Sequence, residues 1–285
     1  MIKIAAMIGA SDLEQETLAV YSGDLVTAFR KVTELGYEGV ELMTKDPAKL
    51  DGEKIRQWLM DNGLELAGLC TGHVYGEDRL GLVGPDPENC RQAMARLKTF
   101  VDFGAAHFGE GTVVNIGRSR GQGYPKDPVR TLDRMEAAFR ELADYALLRG
   151  VRLALEPITV NQTHYIHTTQ DGLAMAQRVN RSNFGLILDV YHMNIEDVNI
   201  YDSFREAREY CWLIHFADNN RRWPGSAHLD LERIINVLNE IGYDGYISME
   251  ILPWPDPDTA ARSAIESLRR YTPRLMDPPE KLDGH

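Results

Sequence analysis

The sequence predicts an α/β protein, a single (β/α)8 barrel of the TIM type, and three observations favour this fold. Eight short β-rich runs alternate with amphipathic helical stretches along the chain. Several of the runs are almost continuously apolar, as expected of parallel strands that helices cover. The chain has 285 residues, and one such barrel typically needs about 250.

The candidate strands are short runs rich in Val, Ile, Leu and aromatic residues. They cover residues 2–8, 39–43, 64–70, 112–117, 152–158, 185–192, 212–218 and 246–252. No GxGxxG turn follows the first run, which counts against an open dinucleotide-binding sheet. We therefore expect one closed barrel over residues 1–275, followed by a flexible C-terminal tail over residues 276–285.

The stretches between the strands carry the signals of helices that lie on a sheet. From Pro128 to Arg149, apolar residues recur every three or four positions. Asp127 precedes Pro128, a pairing that suits a helix N-cap and first turn. Glycine follows several predicted helix ends, where its freedom at positive φ lets the chain turn out of the helix. These glycines are Gly36, Gly63, Gly150 and Gly242.

Composition narrows the function classes. The net charge of −12 disfavours a nucleic-acid partner, because such binding depends largely on Lys and Arg contacts to phosphates. No apolar run approaches the roughly 20 residues of a membrane span. The chain starts on a strand-like run rather than on a secretory signal, and its three cysteines form no disulfide framework or C-x-x-C pair. We expect a cytoplasmic enzyme with reduced cysteines and no membrane partner.

A set of metal-competent residues marks the fifth to eighth candidate strands. Each strand carries one such residue at or near its C-terminal end, and these are Glu156, Asp189, His215 and Glu250. The C-terminal strand ends of a barrel converge on the face where active sites are built. Carboxylates within apolar runs are costly unless they are neutralised, and a divalent cation neutralises several at once. The set therefore predicts one metal site.

The donor types indicate both the metal and the chemistry. Three carboxylates and one imidazole suit Mn²⁺ best, with Mg²⁺, Co²⁺ or Zn²⁺ as alternatives. Two remaining coordination positions would suit the neighbouring oxygens of an α-hydroxyketone. Loss of a proton beside the carbonyl would then give an enediolate that the ion stabilises. A carboxylate on each side of the reacting carbon would remove and return that proton.

Four segments carry a resemblance to a known family. They are LALEP, LILDVYHMNIE, IHFADNNRRWPGSAH and GYISMEIL. With the spacing of the four ligands, they resemble the xylose isomerase-like TIM-barrel sugar isomerases and epimerases over essentially the whole chain. The ligand spacing is similar to that of ketose 3-epimerases, and DVYHMNIE looks closer to keto-sugar-acid epimerases of the 5-keto-L-gluconate type.

The resemblance implies a divalent-metal-dependent isomerase or epimerase. It would act on a small keto-sugar or sugar acid by proton transfer through a metal-bound enediolate, as a homodimer or homotetramer. Glu156 and Glu250 would serve both as metal ligands and as the acid/base pair, while His192 and Arg221 would bind substrate oxygens. His73 and Asn115, which follow or end the third and fourth strands, are further candidates for substrate contacts.

Position 162 departs from the family pattern. Relatives carry a glutamate six residues beyond the strand-5 ligand, where it contacts the substrate, and this chain has Gln162. Glutamine keeps a hydrogen bond but neither takes a proton nor adds negative charge. Nearby His164 and His167 offer compensation. The presence of Arg118 and Arg221 near the site hints at an anionic substrate.

Three alternatives remain open. A metal-dependent lyase or dehydratase on the same scaffold, acting on an inosose or a 3-keto-glycoside, begins with the same proton abstraction, and loss of water or of a leaving group would reveal it. A DNA-repair endonuclease would need further metal ligands, but strand 4 offers Asn115 where a histidine is wanted. A metal-free binding protein would show neither a bound ion nor stabilisation by Mn²⁺.

Overall fold

A computed structural model describes residues 2–15 and 17–271, and its centre is a closed barrel of parallel strands. Neighbouring strands pair in chain order, and pairing of the first with the last closes the barrel. The strands are β1 Lys3–Gly9, β2 Tyr21–Ser22, β3 Gly39–Met43, β4 Glu65–Cys70, β5 Val113–Ile116, β6 Arg152–Leu155, β7 Phe184–Asp189, β8 Cys211–His215 and β9 Tyr246–Met249. Strand β2 only extends the edge of β1, so eight strands form the barrel and the predicted fold is confirmed.

Helices follow the strands and cover the outside of the barrel. They are α1 Leu25–Leu35, α2 Gly52–Asp61, α3 Gly72–Gly76, α4 Pro87–His107, α5 Pro128–Leu147, α6 Thr169–Val179, α7 Val190–Glu196, α8 Ile200–Ala207, α9 Leu231–Glu240 and α10 Pro257–Tyr271. Two short 3-10 helices span Pro47–Lys49 and Arg118–Arg120. None of the helices in the described ranges is both long and apolar enough to cross a membrane.

The local signals at helix ends are confirmed. The Asp127 side chain accepts a hydrogen bond from the Arg130 N–H at the start of α5, and Pro128 occupies the first turn. This helix ends at Leu147, two residues before the predicted end. All four glycines predicted to follow helix ends have positive φ angles, between 65° and 88°.

Six of the eight strands are shorter than predicted, and for two of them the physical cause lies in the chain that follows. The run predicted over residues 152–158 leaves the sheet after Leu155, next to Pro157, which has no N–H to donate. The run predicted over residues 185–192 ends at Asp189, whose side chain caps α7 by accepting a hydrogen bond from Tyr191 N–H. His192 is therefore helical.

The alternation of side chains along each strand aims the functional residues into the barrel. A layer of small and branched side chains from six strands fills the interior, namely Ala5, Ala67, Val113, Ala154, Ile187 and Leu213. Side chains two residues apart on a strand point to the same face. Asp189 and His215 lie two residues after Ile187 and Leu213, so they continue the interior towards the C-terminal mouth.

Two structural expectations remain, one about the cysteines and one about the C-terminal end of the chain. Cys70 and Cys211 are buried, Cys90 is partly buried, and all three are free thiols, as expected. The expected boundary at residue 275 and the tail over residues 276–285 lie outside the described residues.

Candidate active site

Four residues from successive strands meet at the C-terminal mouth of the barrel. Glu156 follows β6, Asp189 ends β7, His215 ends β8 and Glu250 follows β9, and all four are buried. One ligand atom from each lies within 4.8 Å of the others. His215 Nδ1 lies 3.1 Å from both Glu156 Oε1 and Glu250 Oε2. The structure thus brings the four predicted ligands together.

A fourth carboxylate, Glu41 on β3, completes this cluster from the other side of His215. Its oxygens lie 3.0 and 3.1 Å from His215 Nε2, and the residue is fully buried. Sequence reasoning missed Glu41. A signal was present, because it is the only charged residue in the apolar run GVELM and a buried carboxylate needs a partner.

Arg221 bridges two of the predicted ligands. Its Nη1 donates to both oxygens of Asp189, at 3.0 and 2.7 Å, and its Nη2 donates to Glu250 Oε2. The guanidinium also lies 4.5 Å from the ring centroid of Tyr191. The Arg221 backbone has φ of 62°, an uncommon conformation for a non-glycine residue. The backbone of Arg221 is therefore strained, while its side chain is held by the contacts to Asp189 and Glu250.

Asp218 is the residue that organises the loop carrying Arg221. It is fully buried, and its carboxylate accepts hydrogen bonds from four backbone N–H groups of the same loop. The donors are the N–H groups of Asn219, Gly225, Ala227 and Leu229. Four hydrogen bonds to one carboxylate hold the loop in a single conformation.

Burial and charge oppose one another in the cluster. Burial raises the pKa of Glu156, but the charge of His215 outweighs it and the net pKa is lowered. The pKa of Glu250 is lowered well below its usual value because Arg221 and His215 overcome burial. At Asp189 burial dominates and the pKa is raised despite Arg221. Burial would lower the pKa of His215, but the surrounding carboxylates raise it well above its usual value.

The donor set fits one divalent ion. Three carboxylates and one imidazole nitrogen converge in a buried site, which matches the ligands that Mn²⁺ and related ions accept. In the structure, His215 and Arg221 offset part of the negative charge of the cluster. A bound ion would add positive charge there, and His215 Nδ1 would bind it without a proton.

A cavity of about 220 Å³ opens beside the cluster. This is below the roughly 300–1,000 Å³ typical of sites for drug-sized ligands, so it suits a small molecule. Its lining includes two predicted metal ligands and four predicted substrate contacts, namely Glu156, Glu250, His73, Gln162, His192 and Arg221. A larger groove of about 680 Å³ lies between α4 and α5. The smaller cavity is the candidate active site, because the titratable groups converge there.

The two histidines of the cavity wall are held differently. His192 is buried, its Nε2 lies 3.5 Å from Asp189 Oδ2, and burial lowers its pKa, which keeps the ring neutral. His73 is also buried, and its Nδ1 lies 3.1 Å from Glu77 Oε1. Glu77 in turn accepts a hydrogen bond from the backbone N–H of Gln15, another cavity residue. Glu77 thus ties two parts of the wall together.

The remaining candidate residues lie at the mouth of the cavity or outside its lining. Asn115 is buried and donates from Nδ2 to Glu156 Oε2 at 3.2 Å, and it is not among the residues that line the cavity. Its contact is with a predicted ligand. Gln162 lines the cavity and is exposed at its mouth. His164 contacts the backbone oxygen of Gln122 and His167 that of Thr163 in its own loop, and neither histidine lines the cavity.

The chain is similar to curated sugar epimerases over most of its length. The chain is 25% identical over 244 residues to a probable ketose 3-epimerase of Synechocystis, covering 84% of this chain and 83% of that protein. It is 27% identical over 259 residues to a 3-dehydro-D-guloside 4-epimerase of Escherichia coli, covering 88% of this chain and 96% of that protein.

Similarity extends to solved structures and to a family model. A crystal structure of D-psicose 3-epimerase from Clostridium cellulolyticum superposes with a TM-score of 0.79 at 22% identity, covering 95% of this chain and 99% of that one. At this identity the likeness shows the fold alone. A family model for the xylose isomerase-like TIM barrel matches residues 29–271. Because the match spans most of the chain, the protein belongs to the xylose isomerase-like TIM-barrel family.

Proposed function

We propose that this protein is a divalent-metal-dependent isomerase or epimerase that moves a proton on the carbon next to the carbonyl of a small keto-sugar or sugar acid. The observation that carries the proposal is the pair Glu156 and Glu250, two buried carboxylates that contact the same nitrogen of His215 and line one cavity. Family membership and the epimerase names of the relatives support the same chemistry.

Glu156, Asp189, His215 and Glu250 would hold the ion, with Mn²⁺ as the first choice because most of the donors are carboxylate oxygens. When bound, a divalent ion would polarise the substrate carbonyl and stabilise the negative charge that develops as the proton leaves.

Glu156 and Glu250 would move the proton. They reach the cavity from β6 and β9, which are separated in the sheet by β7 and β8. Carboxylates that approach from different strands are suited to act on opposite faces of one carbon. One would accept the proton from the substrate and the other would return a proton to the opposite face, which inverts that centre.

His192, Arg221 and His73 would bind substrate oxygens in this scheme. A neutral His192 offers both a donor and an acceptor to hydroxyl groups. Once a cation shares the charge of Asp189 and Glu250, the guanidinium of Arg221 has donors to spare for the substrate.

Solvent-exchange NMR tests the proposal. The Mn²⁺-loaded enzyme would be incubated in D2O with a panel of keto-hexoses, keto-pentoses and keto-hexonates. We expect solvent deuterium at one carbon of an unchanged skeleton, and no exchange by Glu156→Gln or Glu250→Gln. The exposed Glu65→Gln variant is the matched control and should behave like the wild type. Loss of water or of a leaving group would indicate the lyase reaction instead, and no exchange across the panel would refute proton transfer.

A further inference from the structure

Arg118 is a cation of the active-site cavity that the proposed chemistry does not use. It lies in the 3-10 helix that follows β5, is partly buried, and lines the cavity together with His73 and Gln162. Within residues 2–15 and 17–271, its guanidinium makes no hydrogen bond or ion pair. Arg120, two residues further on, is fully buried and donates to several acceptors, including Glu156 O at 2.6 Å.

The wall around the Arg118 guanidinium is shaped by glycines. A Cβ at Gly76 would lie 2.8 Å from Arg118 Nη2, so the missing side chain at Gly76 makes room for the guanidinium. His73 lies on the same short helix, and burial and then the Arg118 charge lower the pKa of its ring. A neutral ring beside the guanidinium adds no repulsive charge.

The carboxylates near Arg118 are already committed to other partners. Glu77 accepts from His73 Nδ1 and from Lys45 Nζ, the latter at 2.6 Å. Glu156 and Glu250 contact His215 and, for Glu250, Arg221. At position 162 a neutral glutamine stands where the family resemblance implies a glutamate. Since these described carboxylates have other partners, the Arg118 guanidinium is left to bind negative charge that a ligand brings.

The position of Arg118 relative to the reacting groups suits a short substrate. At Gly117, the preceding residue, a Cβ would lie 2.8 Å from Glu156 Oε2. Arg118, Glu156 and Glu250 also line the same cavity of about 220 Å³. A molecule only a few carbons long that fills this cavity can place its carbonyl at the cluster and an anionic end at the guanidinium.

We infer that Arg118 binds a carboxylate of the substrate, so that the preferred substrate is a keto-sugar acid rather than a neutral ketose. The planar donor fork of arginine matches a carboxylate in a two-bond contact. Because Gln162 is neutral, it does not repel a substrate carboxylate at the mouth of the cavity. The reaction in this inference is that of the proposed function. The recognition of a carboxylate depends on Arg118 alone.

Calorimetry with paired probes tests the recognition step. The Mn²⁺-loaded wild type, Arg118→Gln and Arg134→Gln would be titrated with D-gluconate against D-glucitol and with D-galactonate against galactitol. Arg134 is an exposed arginine on α5 and is the matched control. We expect the acid of a pair to bind the wild type and Arg134→Gln about tenfold more tightly, since a charge-assisted hydrogen bond contributes that much.

The preference should disappear in Arg118→Gln and survive in part in Arg118→Lys, which keeps the charge without the fork. Equal affinity within every pair for the wild type, no binding of any probe, or a preference that persists in Arg118→Gln would overturn the inference. A melting temperature like that of the wild type would show that each variant is folded.

Exchange in D2O separates this inference from the proposed function. Solvent deuterium could enter D-fructose and 5-keto-D-gluconate at equal rates, and Arg118→Gln could leave both rates unchanged. That result would contradict the carboxylate site and leave the proton-transfer chemistry intact. Acid-selective binding without exchange into any ketone would refute the proposed function and leave the Arg118 site standing.

Discussion

Glu41 and His215 form a buried pair that fixes the orientation of the imidazole ring. The Nε2–H of His215 donates to the Glu41 carboxylate at 3.0 Å, and this leaves Nδ1 facing Glu156 and Glu250. A metal-binding histidine usually donates its other N–H to such a group, which fixes the tautomer and makes the ligand nitrogen more basic. Glu41 would therefore act on a bound ion through His215, as a positioning residue.

Removing Glu41 should weaken metal binding without removing a ligand. We expect Glu41→Ala to lower the Mn²⁺ affinity about 10- to 100-fold. Glu41→Gln should lower it less, because the amide oxygen still accepts from Nε2. Titration calorimetry on metal-stripped protein measures this, with the exposed Glu65→Gln as control. Unchanged affinity in Glu41→Ala would show that the pair has no role at the site.

Arg221 should stabilise the metal-free protein more than the metal-bound protein. Arg221→Ala leaves Asp189 and Glu250 buried without their cationic partner. We expect the free energy of unfolding in EDTA to fall by about 3–5 kcal/mol, the usual effect of removing one partner of a buried ion pair. In excess Mn²⁺ the deficit should shrink.

Urea unfolding with and without Mn²⁺ measures the Arg221 effect, and exposed Arg262→Ala serves as control. A deficit of equal size under both conditions would indicate that Arg221 supports the loop alone and does not share the charge of the cluster.

Glu77 should make stability depend on pH in the acidic range. Burial raises its pKa, but the Lys45 ammonium and the backbone N–H groups of Gln15 and Glu14 outweigh burial and lower the pKa to about 2. The folded state thus favours the ionised form. The stabilisation is complete above the ordinary pKa of about 4.5 and is lost as the pH falls towards about 2.

Urea unfolding of the wild type and Glu77→Gln between pH 6 and pH 2.5 tests this dependence. The free energy of unfolding of the wild type should decline more steeply below pH 5 than that of the variant. Parallel curves for the two proteins would contradict the assignment. Because Glu77 also holds His73 and Gln15, the variant should bind sugar probes more weakly at neutral pH.

Gln162→Glu should shift the substrate preference. The side chain lies at the exposed mouth of the cavity that Arg118 lines. A new negative charge there should lower kcat/KM for keto-hexonates and leave kcat/KM for neutral ketoses unchanged. The expected change in the acid-to-neutral ratio is about two- to fivefold, as for partly solvated charge pairs. A ratio that is unchanged or moves towards the acids would contradict the role given to position 162.

Prediction from sequence succeeded where local periodicity determines structure. The ligand at the end of β7 lies two residues after an interior apolar residue, Ile187, and the same holds for His215 after Leu213. Alternation along a strand therefore places both side chains in the barrel once the strand is recognised. The barrel topology then brings strands distant in sequence to one point.

The contacts that sequence reasoning missed depend on packing across the barrel. Glu41 reaches His215 from 174 residues away, and no local pattern in GVELM states which side chain it meets. The bonds from Arg221 to Asp189 and Glu250 arise from a loop with a positive φ angle, which its sequence does not reveal. The end of β7 at Asp189 also depends on a cap that competes with strand extension.

Mn²⁺ binding by metal-stripped protein is the measurement that tests the central claim most directly. Titration calorimetry, with electron paramagnetic resonance as a count of free Mn²⁺, should give one ion per chain and a higher melting temperature on binding. Asp189→Asn and His215→Asn should lose most of that affinity, while exposed Glu65→Gln should keep it. Absence of Mn²⁺ binding, or binding that persists in both ligand variants, would contradict the metal site.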